Sequence, residues 1–277
     1  MSAPRAAIVA ALADELAEAF AGGRTDVTAP SSRDGGLSLD EGYEVGRRLA
    51  ARRRADGHRP AGRKVGYASK AVWRALKIST VVWADMYDDT IVEAPAGAAV
   101  LPVGHLAAPR IEPEIVFTLG EPVPAGLTEP AEVLRRVSGV ALGFEIVHCV
   151  YAGWALQPAD FVAGYGLHAR LIVGPERPVG ESSAAALAEA LGVCTVALAC
   201  DGQTVKEGGG RNVLKNPALC LAELASAIAQ RGETPLAAGD RVSTGSMTDA
   251  CAIAPGQCWT ARLEGVSLPM LTLDTTA

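Results

Sequence analysis

The segment RIEPEIVFTLG, residues 110–120, carries the β-branched and apolar content of a strand in Ile111, Ile115, Val116, Phe117 and Leu119, yet Glu112 and Glu114 interrupt it. Strand side chains alternate between faces, so positions 112 and 114 share one face about 7 Å apart. On a wet surface the repulsion between two carboxylates is mild and screened, and the pair reads as the solvated face of a half-exposed strand. In a semi-buried site the same pair needs a counter-charge, and a divalent cation with oxygen ligands is the usual one. Pro113 cannot donate to a ladder, which favours a sheet edge or a bulge.

Downstream the texture stays β-rich. GAAVLPV, VSGVALGFEIVHCV, GLHARLIVG, CTVALACDGQTVKEG, GDRVSTGS and CWTARLEGVSLPMLTL read as short strands separated by Gly and Pro, with hairpin turns at Asp201-Gly202 and Glu264-Gly265. Helices interrupt them at TEPAEVLRRV, SSAAALAEALG and NPALCLAELASAIAQRG, the last with Asn216 as cap and Pro217 in the first helical position. Upstream the pattern is helical: an alanine-rich N-terminal stretch, a turn-rich loop, then a helix opened by the capping box Ser38/Glu41 and closed at Gly57. GRKVGYAS reads as a short strand leading to Ser69, a cap for KAVWRALK. The expectation is a mixed α+β chain, with residues 1–80 as a helical N-terminal part and 81–277 as a β-rich catalytic domain. Regular βαβ alternation is absent, which argues against Rossmann and TIM folds.

The chain has 277 residues, 49% hydrophobic and 20% charged, with a net charge of −6. Arg52, Arg53 and Arg54 form the one basic run and continue a helical pattern as a solvated face, so nucleic acid is not an expected partner. Asp14, Glu15 and Glu18 interrupt the N-terminal apolar stretch before any export signal or membrane span develops, so a cytoplasmic protein is expected. The six cysteines lack CxxC spacing and read as reduced, buried small hydrophobes. KEGGGRNV, residues 206–213, lacks the G-K-[ST] that a phosphate loop requires.

A third acid joins the first two. Glu145 stands inside the apolar run VALGFEIVHCV, where an ionised carboxylate is costly unless it is paired, protonated or metal-bound. Together Glu112, Glu114 and Glu145 make an all-oxygen set suited to Mg²⁺, Mn²⁺ or Ca²⁺ rather than zinc. His148, three residues beyond Glu145, falls on the other strand face and reads as a core or interface histidine. Trp83 and Trp154 could shape an apolar pocket or simply fill core.

The blocks GRKVGYASKAV, WADM, RIEPEIVFTLG, GFEIVHCVYAGW, GLHARLIVGP and AGDRVSTGSMT, in this order over residues 40–260, resemble the 2-keto-4-pentenoate hydratase and 4-oxalocrotonate decarboxylase group of the fumarylacetoacetate hydrolase superfamily. The resemblance implies a β-roll-like catalytic domain, a metal site at Glu112, Glu114 and Glu145 and a homo-oligomer. It also implies active-site roles for Lys64 and Asp85 and, less specifically, substrate contacts from Trp83 and His168. By residue type alone Lys64 reads equally as a surface lysine, Asp85 as a turn or cap residue and His168 as strand packing. The implied activity is hydration of a small 2-hydroxy-2,4-dienoate to a 4-hydroxy-2-oxo acid. The alternatives are decarboxylation of a 2-oxo-3-enedioate, with Arg63, Arg110 or Lys215 reading a second carboxylate, another hydrolase of the superfamily, and a non-catalytic partner in a complex. The chain departs from the group at STVVWADM, at Lys215 and at SLPMLTL, positions that the resemblance assigns to the substrate entrance or subunit contacts.

Overall fold

The computed structural model describes residues 3–277; Met1 and Ser2, where the N-terminal helix reading begins, lie outside the described residues. In chain order the elements are α1 (Ala3–Ala21), α2 (Leu39–Ala55), β1 (Pro60–Gly66), α3 (Lys70–Leu76), β2 (Val82–Tyr87), β3 (Ile91–Glu93), β4 (Ala98–Pro102), β5 (Arg110–Leu119), α4 (Pro130–Leu134) and β6 (Val137–Val147). They continue with α5 (Pro158–Ala163), β7 (His168–Val173), β8 (Arg177–Pro178), α6 (Ala184–Val193), β9 (Thr195–Cys200), β10 (Gln203–Gly209), α7 (Pro217–Gln230), β11 (Arg241–Ser246), β12 (Cys251–Ala252), β13 (Cys258–Glu264) and β14 (Leu271–Thr276). The fold is mixed α+β, as the sequence leads one to expect.

A nine-stranded sheet runs β2-β1-β11-β5-β6-β7-β3, with β12 paired to β5 and β8 to β6. A five-stranded sheet runs β10-β9-β13-β14-β4. The expected boundary near residue 80 falls within the larger sheet, since β1 and β2 stand on either side of it and pair antiparallel.

Local chemistry explains the main elements. The Ser38 hydroxyl accepts from the Glu41 N–H while the Glu41 carboxylate accepts from the Ser38 N–H at 2.9 Å, the reciprocal cap of α2. Arg5 adds two bonds to the same carboxylate, tying α1 to α2. Asn216 Oδ1 accepts from the Ala218 N–H at 2.9 Å and Pro217 opens α7. Asp201 and Gly202, at φ of 50° and 80°, make the two-residue turn of the β9–β10 hairpin. Ser69 occupies the N-cap of α3 without a side-chain bond. Glu264-Gly265 is not a tight hairpin: pairing of β13 with β14 ends at Ala261↔Leu271, and a longer connection follows.

Alternation along β5 sorts its residues as strand geometry requires. Ile111, Ile115, Phe117 and Leu119 are buried in the main core with Leu134, Leu187, Leu191, Leu221 and Ile228 from α4, α6 and α7. On the other face Val116 joins Met86, Ala141, Leu171 and Val173 in a second, smaller cluster inside the curl of the larger sheet. Glu112 and Glu114 belong to this inner face.

Pro113 does not sit at an edge, because β5 lies between β11 and β6. The irregularity it needs is in its neighbour: the β11 register shifts between Ser243 and Ser246, and the Met247 N–H donates to the Pro113 carbonyl at 3.0 Å. All six cysteines are free; Cys149, Cys194 and Cys220 are buried, whereas Cys200, Cys251 and Cys258 are partly exposed, contrary to the uniform burial expected.

Candidate functional site

Sheet register brings Lys64 to the carboxylates. Lys64 pairs across from Ser243, Ser243 from Val116, and Glu112 from Glu145, so Lys64, Ser243, Glu112, Glu114 and Glu145 all share the inner face. Lys64 is 2% exposed, with Nζ 3.0 Å from Glu145 Oε1 and 5.1 Å from the centre of the Phe161 ring. Gly166, at φ 63°, packs against the lysine stem; a Cβ there would come within 2.7 Å of Ala84 Cβ and 3.2 Å of Lys64 Cδ.

Each buried carboxylate is held by a different strand. Glu114 Oε2 accepts from the Ser243 hydroxyl at 2.5 Å and from the Gly245 N–H at 2.8 Å. Gly245 stands at φ 102°, inside the β11 irregularity, which turns its N–H toward the carboxylate and away from the ladder. Glu145 Oε1 faces both Lys64 Nζ and His168 Nδ1 at 3.0 Å, and His168 Nε2 meets the Thr90 hydroxyl at 2.8 Å. Glu145 Oε2 is buried with no hydrogen-bond partner.

The electrostatics follow from burial and neighbours. Burial, reinforced by the fields of Glu145 and Glu112, lifts the Glu114 carboxyl well above the usual carboxylate range. Burial also raises Glu112, opposed mainly by Lys64. Burial works against Glu145 as well, but Lys64 and the His168 hydrogen bond prevail and hold it below the usual range. Burial alone would push the Lys64 ammonium down; Glu145, Glu112 and Glu114 overcome this and raise it, so the lysine is charged at neutral pH.

A cavity of about 290 Å³ opens on this group. Lys64, Glu112 and Glu114 form its charged wall, and Tyr67, Val147, Trp154, Leu156, Phe161 and Leu167 supply most of the rest, with Ser69, Asn212 and Ser246 as neutral polar groups. Tyr67, Trp154 and Leu167 line it with positive φ of 58°, 59° and 59°. Such conformations in non-glycine residues cost free energy and cluster at functional sites.

Other residues singled out in the sequence lie elsewhere. Asp85 is in mid-strand, neither turn nor cap, and pairs in register with Arg63 on the opposite face from Lys64; Arg63 Nε is 3.0 Å from its Oδ1. Period-two alternation thus separates Asp85 from the lysine with which it was expected to act. Trp83 shares that outer face, buried against Tyr43 with ring centres 4.7 Å apart, and lines a different cavity from Lys64. His168 touches Glu145 and does not line the Lys64 cavity, so it reaches any ligand there only through that carboxylate. His148 is buried, edge-on to Phe20, but its Nδ1 has no partner. Of the three spare cations, Arg63 is committed to Asp85, Lys215 is off the cavity wall, and Arg110 stacks on the Trp154 ring at 4.0 Å.

Ser243, Gly245 and Thr90 went unrecognised. A glycine within the strand-like run STGS is the sequence signal for a bulge. Thr90 carries no such signal, because its partner is 78 residues away.

The donor set fits a hard divalent cation. All three carboxylates offer oxygen, one buried oxygen is orphaned, and Lys64 alone does not balance three acids. The three do not bring one oxygen each within 4.8 Å of one another; among the described residues only His58, Asp88 and Asp89 reach that spacing. The two exposed aspartates of that trio are engaged by arginines, with Arg53 on Asp89 and Arg59 on Asp88.

No family model matches the chain. It is 29% identical over 272 residues to a 4-oxalocrotonate decarboxylase of a Pseudomonas species, covering 97% of this chain and 98% of that one. It is 28% identical over 258 residues to a 2-keto-4-pentenoate hydratase of Burkholderia vietnamiensis, covering 93% and 94%. Among solved structures, the 4-oxalocrotonate decarboxylase of Pseudomonas putida G7 complexed with magnesium and adipate superimposes with a TM-score of 0.85 at 26% identity, covering 96% of this chain and 97% of that one. In both sequence and fold the chain is similar to enzymes of the 2-keto-4-pentenoate hydratase and 4-oxalocrotonate decarboxylase group of the fumarylacetoacetate hydrolase superfamily.

Proposed function

We propose that the protein is a divalent-metal-dependent hydratase of a small 2-hydroxy-2,4-dienoate. Glu112, Glu114 and Glu145 would hold Mg²⁺, Mn²⁺ or Ca²⁺, which when bound supplies a Lewis acid for the oxygens of a 2-oxo acid. The related decarboxylase solved with magnesium supports this reading of the carboxylates. The observation that carries the proposal is a buried, charged lysine facing the same cavity as Glu112 and Glu114.

Lys64 holds a proton at Nζ and presents it to the cavity, where it stabilises enolate charge; it gives that proton to the terminal carbon of the diene and regains one from the 2-hydroxyl, so the dienol becomes a 2-oxo-3-enoate with no net change in protons. Glu145 holds Nζ in position through the 3.0 Å contact. Water then adds to the activated double bond and gives a 4-hydroxy-2-oxo acid. Phe161, Leu156 and Leu167 supply apolar surface beside the charged wall. The hydratase reading is favoured over decarboxylation because, among the described residues, no cation other than Lys64 lines the cavity, so a neutral substrate tail suits it best.

The second reading, decarboxylation of a 2-oxo-3-enedioate, draws support from the likeness to the decarboxylase complexed with adipate, a dicarboxylate. An apolar wall also suits a carboxylate that is about to leave. The test is incubation with 2-hydroxypenta-2,4-dienoate and, separately, 4-oxalocrotonate, with Mg²⁺ or a chelator, followed by product identification. Metal-dependent 4-hydroxy-2-oxopentanoate from the first substrate supports the hydratase. CO₂ release from the second, with the first untouched, would replace it with the decarboxylase.

A further inference from the structure

Resting on the metal-site reading above, we infer that Thr90 and His168 are positioning residues that set which oxygen of Glu145 is left for a cation. Glu145 has two oxygens in different circumstances: Oε1 is shared by Lys64 Nζ and His168 Nδ1 at 3.0 Å each, while Oε2 is buried and partnerless. A buried carboxylate oxygen without a donor is expensive, and a cation is the partner that relieves it without a proton.

What fixes this division is a chain of hydrogen bonds from outside the carboxylate cluster. The Thr90 hydroxyl donates its single hydrogen to the Tyr87 carbonyl at 2.9 Å and accepts from the Tyr87 N–H at 3.1 Å. With its hydrogen spent, it accepts from His168 Nε2–H at 2.8 Å. The imidazole is thereby held with Nδ1 3.0 Å from Glu145 Oε1. The two-residue turn Asp88-Asp89 after β2 therefore fixes a side chain on β7, which fixes a carboxylate on β6. Partners of this kind, one bond removed from a ligand, orient it and affect metal affinity on the order of 10–100-fold.

The test is Mn²⁺ binding by the full-length chain, measured by electron paramagnetic resonance of free Mn²⁺ and accompanied by thermal melting. Thr90→Val keeps the shape and removes the acceptor; it should weaken Mn²⁺ binding on the order of 10-fold or more. Thr90→Ser keeps the hydroxyl and should bind like the wild type. Thr90→Ala serves the same comparison if the valine variant does not fold. Wild-type affinity in Thr90→Val, or equal weakening in Thr90→Val and Thr90→Ser, would overturn the inference, since the hydroxyl would then have no orienting role. A merely structural role would lower the melting temperature and leave Mn²⁺ affinity in place, which also overturns it. Absence of Mn²⁺ binding in the wild type is a separate outcome, which removes the metal-site reading and this inference with it.

Discussion

Replacing Lys64 with methionine removes one charge from a pair that is 2% exposed on the lysine side and fully buried on the Glu145 side. At 3.0 Å, with the effective dielectric of about 20 that suits such pairs, the attraction is about 5 kcal/mol before desolvation. Removing one partner of a buried pair costs about 3–5 kcal/mol, because the other charge stays buried. At roughly 2–4 °C per kcal/mol for a chain of this size, the melting temperature should fall on the order of 10 °C. Glu145→Gln in the same background removes the stranded charge, so the double variant should recover part of that loss. The assay is urea unfolding of wild type, Lys64→Met, Glu145→Gln and the double variant, all with chelator present so that a bound cation cannot compensate. A coupling of about 2 kcal/mol is expected, near the upper end for residues in contact, with His168 still holding Oε1 in the Lys64→Met variant. Additivity within about 0.5 kcal/mol would refute the electrostatic account of the site.

Glu114→Gln should fold as well as the wild type, because the Ser243 hydroxyl and the Gly245 N–H can donate to the amide oxygen, while Mn²⁺ titration should show binding weakened at least 10–100-fold. Asp85→Asn should leave Mn²⁺ affinity and turnover near wild type, since Asp85 faces Arg63 across the sheet from Lys64; a large loss of turnover measured with the hydratase substrate would return Asp85 to the chemistry. Burial pushes the His148 imidazole from its ordinary 6.5 down to about 3, so the unfolded chain binds the extra proton first, and the neutral ring's contribution is full above pH 6.5 and lost as pH falls toward 3. His148→Phe should therefore remove roughly 2 kcal/mol of the stability difference between pH 7 and pH 5 in urea titrations, and identical pH slopes in both proteins would clear His148 of that role.

The acids of the site were legible because they break a local pattern. Glu112, Glu114 and Glu145 each spoil an apolar strand, and period-two alternation puts the first two on one face before any partner is known. Lys64 owed its place to family likeness, since GRKVGY reads equally well as a strand end. Asp85 lies apart from Lys64 for a physical reason: the face it presents relative to Lys64 depends on the β1–β2 register, which pairs it with Arg63, and one residue of slip would reverse the outcome. Pro113 was legible in part. The missing N–H demanded an irregularity, but that irregularity lies about 130 residues away in β11, where it also frees the Gly245 N–H for Glu114.

The topology explains why such a costly set of acids is tolerated in a central strand. In the order β1-β11-β5-β6, Lys64 stands in register with Ala141, four residues from Glu145, so three strand spacings of about 4.8 Å and a rise of about 3.4 Å per residue would put the two backbones about 20 Å apart in a flat sheet, beyond the reach of their side chains. Curling the sheet closes that gap, and it does so from both sides, because β7 beyond β6 delivers His168 to the same Oε1 that Lys64 reaches from β1. The compensating groups thus come from strands that are not neighbours of β5, and they arrive only when the sheet has closed. Apolar residues on the outer face of β5 share one buried core with residues of α4, α6 and α7, while the inner face carries the acids. The alternation in RIEPEIVF therefore divides two tasks between the two faces of one strand: Ile111, Ile115 and Phe117 anchor the curl, and the curl makes Glu112, Glu114 and Glu145 sustainable as a group.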